Sequence, residues 1–174
     1  MSYIDKGRRY TYGVKNTLAE GDAIGGAIAT GDTVFCLENN RMMTYDTNGI
    51  WMCNDFIKLT NNSGVTLSKG DVVIVDTTTA GSVTRTTAQG NPLVIGPVVF
   101  GNDVTRPVAI AISGVYDVRT NGSTNAGDYA LTSTTAGAGD STTTMGDGFF
   151  GVYVAQNAAA GLTKCFIRSK PEYF

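Results

Sequence analysis

Short apolar runs separated by polar turns dominate the chain from residue 59 onward. Residues 59–76 show the repeating unit, in which the turn Lys69-Gly70-Asp71 precedes a run of four β-branched residues. Glycine can adopt a positive φ at such a turn, and the following aspartate can cap the turn with its own side chain. β-Branched residues favour strands. The pattern therefore predicts a strand at 71–76, and the same Gly-Asp-strand unit recurs in variant form along the chain.

The same reasoning predicts further short strands, at residues 82–87, 93–100, 106–113, 115–119, 128–132, 149–155 and 164–168. The continuous run of small apolar residues PVAIAISG is typical of a strand that is buried on both faces. Residues 132–148 hold few apolar side chains, so the pattern predicts a long polar loop there. Short strands at this spacing indicate an all-β fold, either a small β-barrel or a β-sandwich.

Residues 32–58 predict a separate three-stranded β-meander, because Asn-Asn and Asn-Gly pairs tolerate the left-handed conformations of tight hairpins. Two registers remain open for its second hairpin. A three-residue turn sets Tyr45 opposite Trp51, whereas a two-residue turn sets Tyr45 opposite Met52. The predicted organisation is thus an N-terminal arm (1–31), the meander (32–58), a main β-barrel or sandwich domain (59–168) and a C-terminal tail (169–174).

The two ends of the chain carry the residues that we expect at an interface. Glycines interrupt any helical period in residues 1–31, which predicts an extended arm with one short strand around residues 9–14. The arm is either a loosely ordered terminus or a segment that orders on a neighbouring subunit, since Arg and Tyr commonly anchor interfaces. The tail ends in aromatic residues that are costly to expose. The predicted interface contacts are Arg8, Arg9, Tyr10, Tyr12, Tyr173 and Phe174.

Composition argues against catalysis. The chain contains no histidine, which removes the commonest general base and the commonest metal ligand. Its three cysteines form no CxxC pair, so zinc is not expected. We therefore expect no catalytic residue, no metal site and no cofactor. A net charge of −2 without a basic stripe, and the lack of a long apolar run, predict neither a nucleic-acid nor a membrane partner.

Two parts of the chain resemble structural proteins of tailed bacteriophages. The stretch GDTVFCLENNRMMTYDTNGIWMCND resembles short meanders of such proteins through residues 43–46, 48–49 and 51. The later part resembles capsid decoration (cement) and head-fibre β-domains. The matching segments are residues 62–64, 67–73, 96–99, 114–118, 126–131, 151–154 and 166–167. The resemblance covers about residues 32–168 and departs from the pattern in the glycine-rich arm and the threonine-rich stretch.

The resemblance implies a virion protein that binds the outside of an assembled capsid or a neighbouring virion component, without enzyme activity. The expected partners are the major capsid protein or another virion protein, with self-association as a dimer or trimer. The expected location is the capsid exterior, after synthesis in the host cytoplasm. The alternative is a fibre or a receptor- or glycan-binding module, in which Tyr45 and Trp51 would offer surface aromatic contacts. A small carboxylate-dependent hydrolase is a third alternative.

Overall fold

The structure, a computed structural model, describes residues 11–15, 30–36, 41–47 and 51–168 of the 174-residue chain. The described residues contain fourteen strands and no helix, which confirms the predicted all-β class. They fall into two compact units, Met1–Asn54 and Asp55–Phe174. The second unit begins at Asp55, whereas the sequence predicts a domain boundary between residues 58 and 59. The predicted boundary falls inside the first strand of the second unit, Phe56–Asn61.

The N-terminal unit is a four-stranded sheet in the order β1-β2-β3-β4. Its strands are β1 (Thr11–Lys15), β2 (Thr33–Cys36), β3 (Arg41–Tyr45) and β4 (Trp51–Met52). The antiparallel strands β2, β3 and β4 form the predicted meander. Strand β1 pairs parallel to β2 and lies where the arm was expected to hold one short strand. Tyr45 pairs with Trp51, so the three-residue turn is the correct alternative.

The second unit contains two closed five-stranded barrels in succession, so barrel rather than sandwich is the correct prediction. The first barrel has the order β5-β7-β6-β8-β9 and closes through pairing of β9 with β5. Its strands are β5 (Phe56–Asn61), β6 (Val72–Val75), β7 (Ser82–Thr84), β8 (Val94–Phe100) and β9 (Pro107–Ala111). Leu67, Val73, Val83, Val98, Val108 and Ile110 form its buried core. Strand β9 is buried at four of its five positions, as its sequence predicts.

The second barrel has the order β10-β12-β11-β13-β14 and closes through pairing of β14 with β10. Its strands are β10 (Gly114–Thr120), β11 (Tyr129–Thr132), β12 (Gly139–Thr142), β13 (Phe149–Tyr153) and β14 (Gly161–Ile167). The prediction of a continuous loop at 132–148 was wrong, because β12 lies within it. A Cβ at Gly139 would lie 2.8 Å from the Tyr153 hydroxyl, so at this position the strand packs without a side chain of its own.

The two barrels share topology and register, strand for strand. In the first barrel, Val73 of β6 pairs with Gly96 of β8, and the next pairing skips one residue of β8. In the second barrel, Ala130 of β11 pairs with Gly151 of β13, and the next pairing skips one residue of β13. A bulge at the same position in both barrels identifies them as two versions of one structural unit.

The strand-initiating turn is also repeated. Gly70 precedes β6 with φ of +87°, and Gly127 precedes β11 with φ of +95°. Each glycine is followed by an aspartate, Asp71 or Asp128, as the sequence pattern requires. The recurring Gly-Asp unit is therefore the entry turn to the equivalent strand of each barrel.

Candidate interaction surfaces

The surface between the two barrels is built on the turn that starts β6. The Gly70 amide donates a hydrogen bond to the Val98 carbonyl of its own barrel at 2.8 Å. Its carbonyl accepts a hydrogen bond from the Arg119 amide of the second barrel, also at 2.8 Å. A Cβ at position 70 would overlap Leu162, another residue of the second barrel. Glycine is thus required both by the positive φ and by the close approach of the other barrel.

Two ion pairs cross between the barrels. The Asp71 carboxylate, which is 2% exposed, accepts a hydrogen bond from the Ser68 amide at 2.8 Å and pairs with Arg119 Nη1 at 3.0 Å. The Asp117 carboxylate pairs with Lys69 of the first barrel at 3.0 Å and with Lys164 of its own barrel at 2.9 Å. Both ion pairs that cross between the barrels lie beside the backbone hydrogen bond between Gly70 and Arg119.

Burial of Asp117 opposes ionisation, but hydrogen bonds and charge from Lys164 and Lys69 outweigh burial, so the pKa of the carboxyl is lowered. The carboxylate is therefore held ionised by one cation from each barrel. Protonation of Asp117 would weaken the link between the barrels as well as the local pair.

Aromatic packing joins the barrels beside these charges. The Phe56 ring of the first barrel packs edge to face on the Tyr116 ring of the second, with centroids 5.3 Å apart. Phe56 also meets Phe100 with a centroid distance of 6.2 Å. Such contacts add to the stabilisation that burial of the rings already provides. The two barrels consequently pack as one compact body.

A cleft of about 160 Å³ lies between β8 and β13. Ile95, Ile112 and Phe149 supply apolar walls, and the Arg168 guanidinium lies 5.1 Å from the centre of the Phe149 ring. Small-molecule sites usually exceed roughly 300 Å³. The cleft is therefore smaller than a usual small-molecule site.

The exposed apolar side chains concentrate on one face of the second barrel. The described part of the chain has nine large apolar side chains exposed to solvent, and four of them belong to this face: Val115, Val154, Leu162 and Phe166. Phe166 pairs with Val115 on one side and with Val152 on the other. We call Val115, Phe166 and Val152 the outer row. It is an apolar strip that crosses three strands of a closed barrel.

The buried titratable groups of the second barrel have no reactive character. Burial raises the pKa of the Tyr153 hydroxyl and of the Cys165 thiol. The Tyr153 hydroxyl donates to the Asp140 carbonyl at 3.4 Å. A buried neutral thiol is a poor nucleophile. Among the described residues, no group of three or more His, Cys, Asp or Glu side chains is placed to hold a metal ion.

Asp76 illustrates how the carboxylates of this chain are used. Hydrogen bonds from Asn62 and from Thr78 lower the pKa of Asp76 to about 2. The Thr78 amide and hydroxyl both donate to the Asp76 carboxylate, at 2.8 and 2.7 Å. The carboxylate therefore organises the turn after β6, which is the structural role that the sequence pattern predicts for acids in turns.

The predicted contact residues at the chain ends stay predictions. Arg8, Arg9, Tyr10, Tyr173 and Phe174 lie outside the described residues. Tyr12 belongs to β1, and its role at an interface likewise remains a prediction.

The expectation of a surface contact at Trp51 was wrong. Its side chain is 1% exposed, and it packs edge to face on Tyr45 with ring centroids 5.1 Å apart. A cross-strand pair of aromatic rings gains most when at least one ring is removed from water. Tyr45 is partly buried, so the pair offers no open indole face to a ligand.

The outer row was missed in the sequence, although a signal for it exists. Strand β14 reads Cys165-Phe166-Ile167, so an apolar residue occupies the outward position between two inward ones. In a barrel with one face in water, the outward positions should be polar. An outward apolar residue between two inward ones is therefore the sequence signal that could have found the outer row.

No family model and no curated protein matches the chain. Among solved structures, it is similar to "The crystal structure of head fiber gp8.5 N base in bacteriophage phi29". The similarity has 16% sequence identity and a TM-score of 0.48, and covers 68% of this chain and 99% of that chain. Values this low transfer no function from the head fibre base to this chain. Among the described residues, no helix is long and apolar enough to span a membrane.

Proposed function

We propose that the chain is a structural protein of a tailed-phage virion, which binds the outer surface of the assembled capsid and stabilises it. One observation carries this proposal. The segments that resemble phage decoration and head-fibre domains lie at equivalent positions in the two barrels. Residues 67–73 lead into β6 and residues 126–131 lead into β11, the equivalent strands of the two barrels. Residues 96–99 and 151–154 likewise cover the equivalent strands β8 and β13. The resemblance to these phage domains therefore occurs twice, once in each barrel.

The geometry supports an adhesive role. Both barrels are closed, so neither offers a free sheet edge for strand addition. Binding through the barrels must therefore use outward side chains and loops. Ion pairs and aromatic contacts join the two barrels. The joined barrels can therefore bridge two neighbouring capsid subunits. A protein that binds only the assembled shell stabilises that shell by mass action.

The proposed partner is the major capsid protein or a neighbouring virion protein, on the capsid exterior. The contacts that we assign to it are those of the arm and the tail, namely Arg8, Arg9, Tyr10, Tyr12, Tyr173 and Phe174. The alternative function is a fibre or a receptor- or glycan-binding module. Burial of the Trp51 indole argues against a sugar contact at that ring, and the binding experiment below separates the two functions.

Binding to purified phage heads tests the proposal. The chain is mixed with assembled empty heads or with unassembled major capsid protein from the phage that encodes it, and then sedimented. We expect co-sedimentation with assembled heads alone, a higher temperature for head disruption, and outer-surface density by electron microscopy. Binding to host cells or glycans without binding to heads would contradict the proposal.

A deletion tests the assigned contacts. Thr11–Lys15 forms β1, so a deletion of residues 2–10 removes Arg8, Arg9 and Tyr10 and leaves that strand in place. We expect the shortened chain to keep its circular dichroism spectrum and melting temperature while losing attachment to heads. If the shortened chain occupied heads as fully as the intact chain, the arm would not be part of the binding surface.

A further inference from the structure

The outer row of the second barrel has an equivalent in the first barrel. Gly96 and Gly151 are equivalent because each lies at the bulge described above. The residues that follow them are therefore equivalent too. Pro97 of β8 corresponds to Val152 of β13, which is one end of the outer row.

The remaining two positions follow from the ladders that close the barrels. Val98 pairs with Ile110 in the first barrel, and Tyr153 pairs with Cys165 in the second. The next residue of each last strand is Ala111 or Phe166. Ala111 pairs with Phe56, as Phe166 pairs with Val115. The row Phe56–Ala111–Pro97 is thus the first barrel's version of Val115–Phe166–Val152.

The two equivalent rows differ sharply in burial. In the first barrel, Phe56 is 6% exposed, Ala111 is 0% exposed and Pro97 is buried. In the second barrel, Val115 is 45% and Phe166 is 43% exposed. The Tyr116 ring, a side chain of another barrel, packs on the Phe56 end of the buried row. Barrel-to-barrel packing therefore uses the Phe56 end of this row within the chain, whereas Val115 and Phe166 at the equivalent positions are exposed.

Charged residues frame the open row. Next to it lie the Asp117–Lys164 ion pair and Val154, whose amide donates to the Lys164 carbonyl at 3.0 Å. On its other side lies Arg168, whose amide donates to the Phe150 carbonyl at 3.1 Å. An apolar centre with a charged rim is the usual anatomy of a protein interface.

We propose that the outer row is the surface through which this chain binds a second copy of itself. The occupant is a barrel of the second copy, because the Phe56 end of the equivalent row packs on a barrel of the same fold within the chain. The inference deepens the proposed function by naming the surface for self-association, and its test needs no capsid.

The test measures the mass of the full chain in solution by light scattering after gel filtration. The variants are Phe166→Asp and Val115→Asp. The matched control is Val65→Asp, which places the same charge at an apolar side chain that is 37% exposed in the first barrel. We expect the wild type and the control to be oligomers of equal mass, and both outer-row variants to be monomers with an unchanged circular dichroism spectrum. A monomeric wild type, or outer-row variants that keep the wild-type mass, would overturn the inference.

A second measurement covers the case in which an aspartate variant fails to fold. A photo-reactive amino acid at position 166 should give a product of twice the chain mass, joined between two copies. Cross-linking within one chain, or no dimeric product, would overturn the inference. The two proposals fail separately. A monomer that still sediments with heads overturns only self-association, whereas an oligomer that ignores heads overturns only the capsid role.

Discussion

The two barrels have one topology but fill their interiors differently. Val98 in the core of the first barrel is replaced by Tyr153 in the second, and Ile110 is replaced by Cys165. The larger Tyr153 ring is accommodated by small neighbours, of which Gly139 contacts its hydroxyl. Cores tolerate such exchanges when total volume is kept. Turn positions and register therefore specify the barrel, while the identity of the core residues can vary.

The outsides of the barrels differ in a second way, in what covers them. Equivalent positions are buried in the first barrel and exposed in the second, as at Ala111 and Phe166, which are 0% and 43% exposed. The same row of outward positions is thus buried in the first barrel and exposed to solvent in the second. Substitutions at equivalent positions measure this difference directly.

The largest effect is expected for aspartate at the two equivalent outward positions. Ala111→Asp would place a carboxylate at a fully buried site without a designed cation, and we expect the second unit to lose its cooperative fold. Phe166→Asp should change the free energy of unfolding of the monomeric chain, measured at protein concentrations below self-association, by about 0.5 kcal/mol or less, since solvent reaches the site in a single copy. Urea unfolding followed by circular dichroism measures both. Equal losses would show that burial does not distinguish the two rows.

Loss of the Tyr153 ring is expected to be the next largest effect. Tyr153 is fully buried, so Tyr153→Ala should lower the free energy of unfolding by about 3–5 kcal/mol through lost burial and a cavity. The control, Tyr153→Phe, removes only the hydroxyl and its long bond to Asp140, and should cost about 1 kcal/mol. The same urea titrations report both values. A loss below that of the control would mean that the second barrel does not depend on this ring.

Alanine at the two entry glycines should separate backbone strain from contact between the barrels. Gly127→Ala should cost about 1–2 kcal/mol for the left-handed backbone alone, because its Cβ would meet nothing within 4 Å. Gly70→Ala should cost more, since its Cβ would also lie 3.1 Å from the Arg119 amide nitrogen and overlap Leu162. Comparison of the two unfolding free energies isolates the barrel contact. Equal costs would indicate that the contact gives way easily.

The smallest effect is expected in acid, at the ion pair that links the barrels. Because the pKa of Asp117 is lowered in the folded state, its stabilising contribution is present above the unfolded pKa of about 4 and declines as the pH falls through the folded value. Asp117→Asn should therefore lose less stability than the wild type between about pH 5 and about pH 3. Unfolding titrations at both pH values measure the difference. The same acid dependence in both proteins would assign it to other carboxyls, Asp76 foremost, whose pKa is about 2.

Several strands could be predicted from local chemistry alone. The turn before β6 needs a residue that tolerates positive φ, and Gly70 supplies it directly before a β-branched run. Gly127 before β11 gives the same signal. Strand β12 also begins with Gly-Asp, but Ser-Thr follows in place of an apolar run, so its packing against the Tyr153 ring from another strand could not be predicted.

The sequence likewise predicted some of the candidate contact residues and missed others. The chain ends were selected for their Arg and aromatic residues, and their role remains to be tested. Trp51 was assigned to the surface although one of the two hairpin registers sets it opposite Tyr45, because strand pairing does not report whether a ring is buried. Phe166 between Cys165 and Ile167 was the one local signal for the outer row, but local sequence does not tell whether an outward apolar residue is covered or exposed.

The sequence by itself determined the all-β class and the positions at which most strands begin, because turns and alternation act over a few residues. Only the tertiary structure decided that residues 55–168 close twice rather than once. Closure depends on pairing between strands distant in sequence, β5 with β9 and β10 with β14. The same long-range contacts decide which outward apolar residues are buried and which remain available for binding.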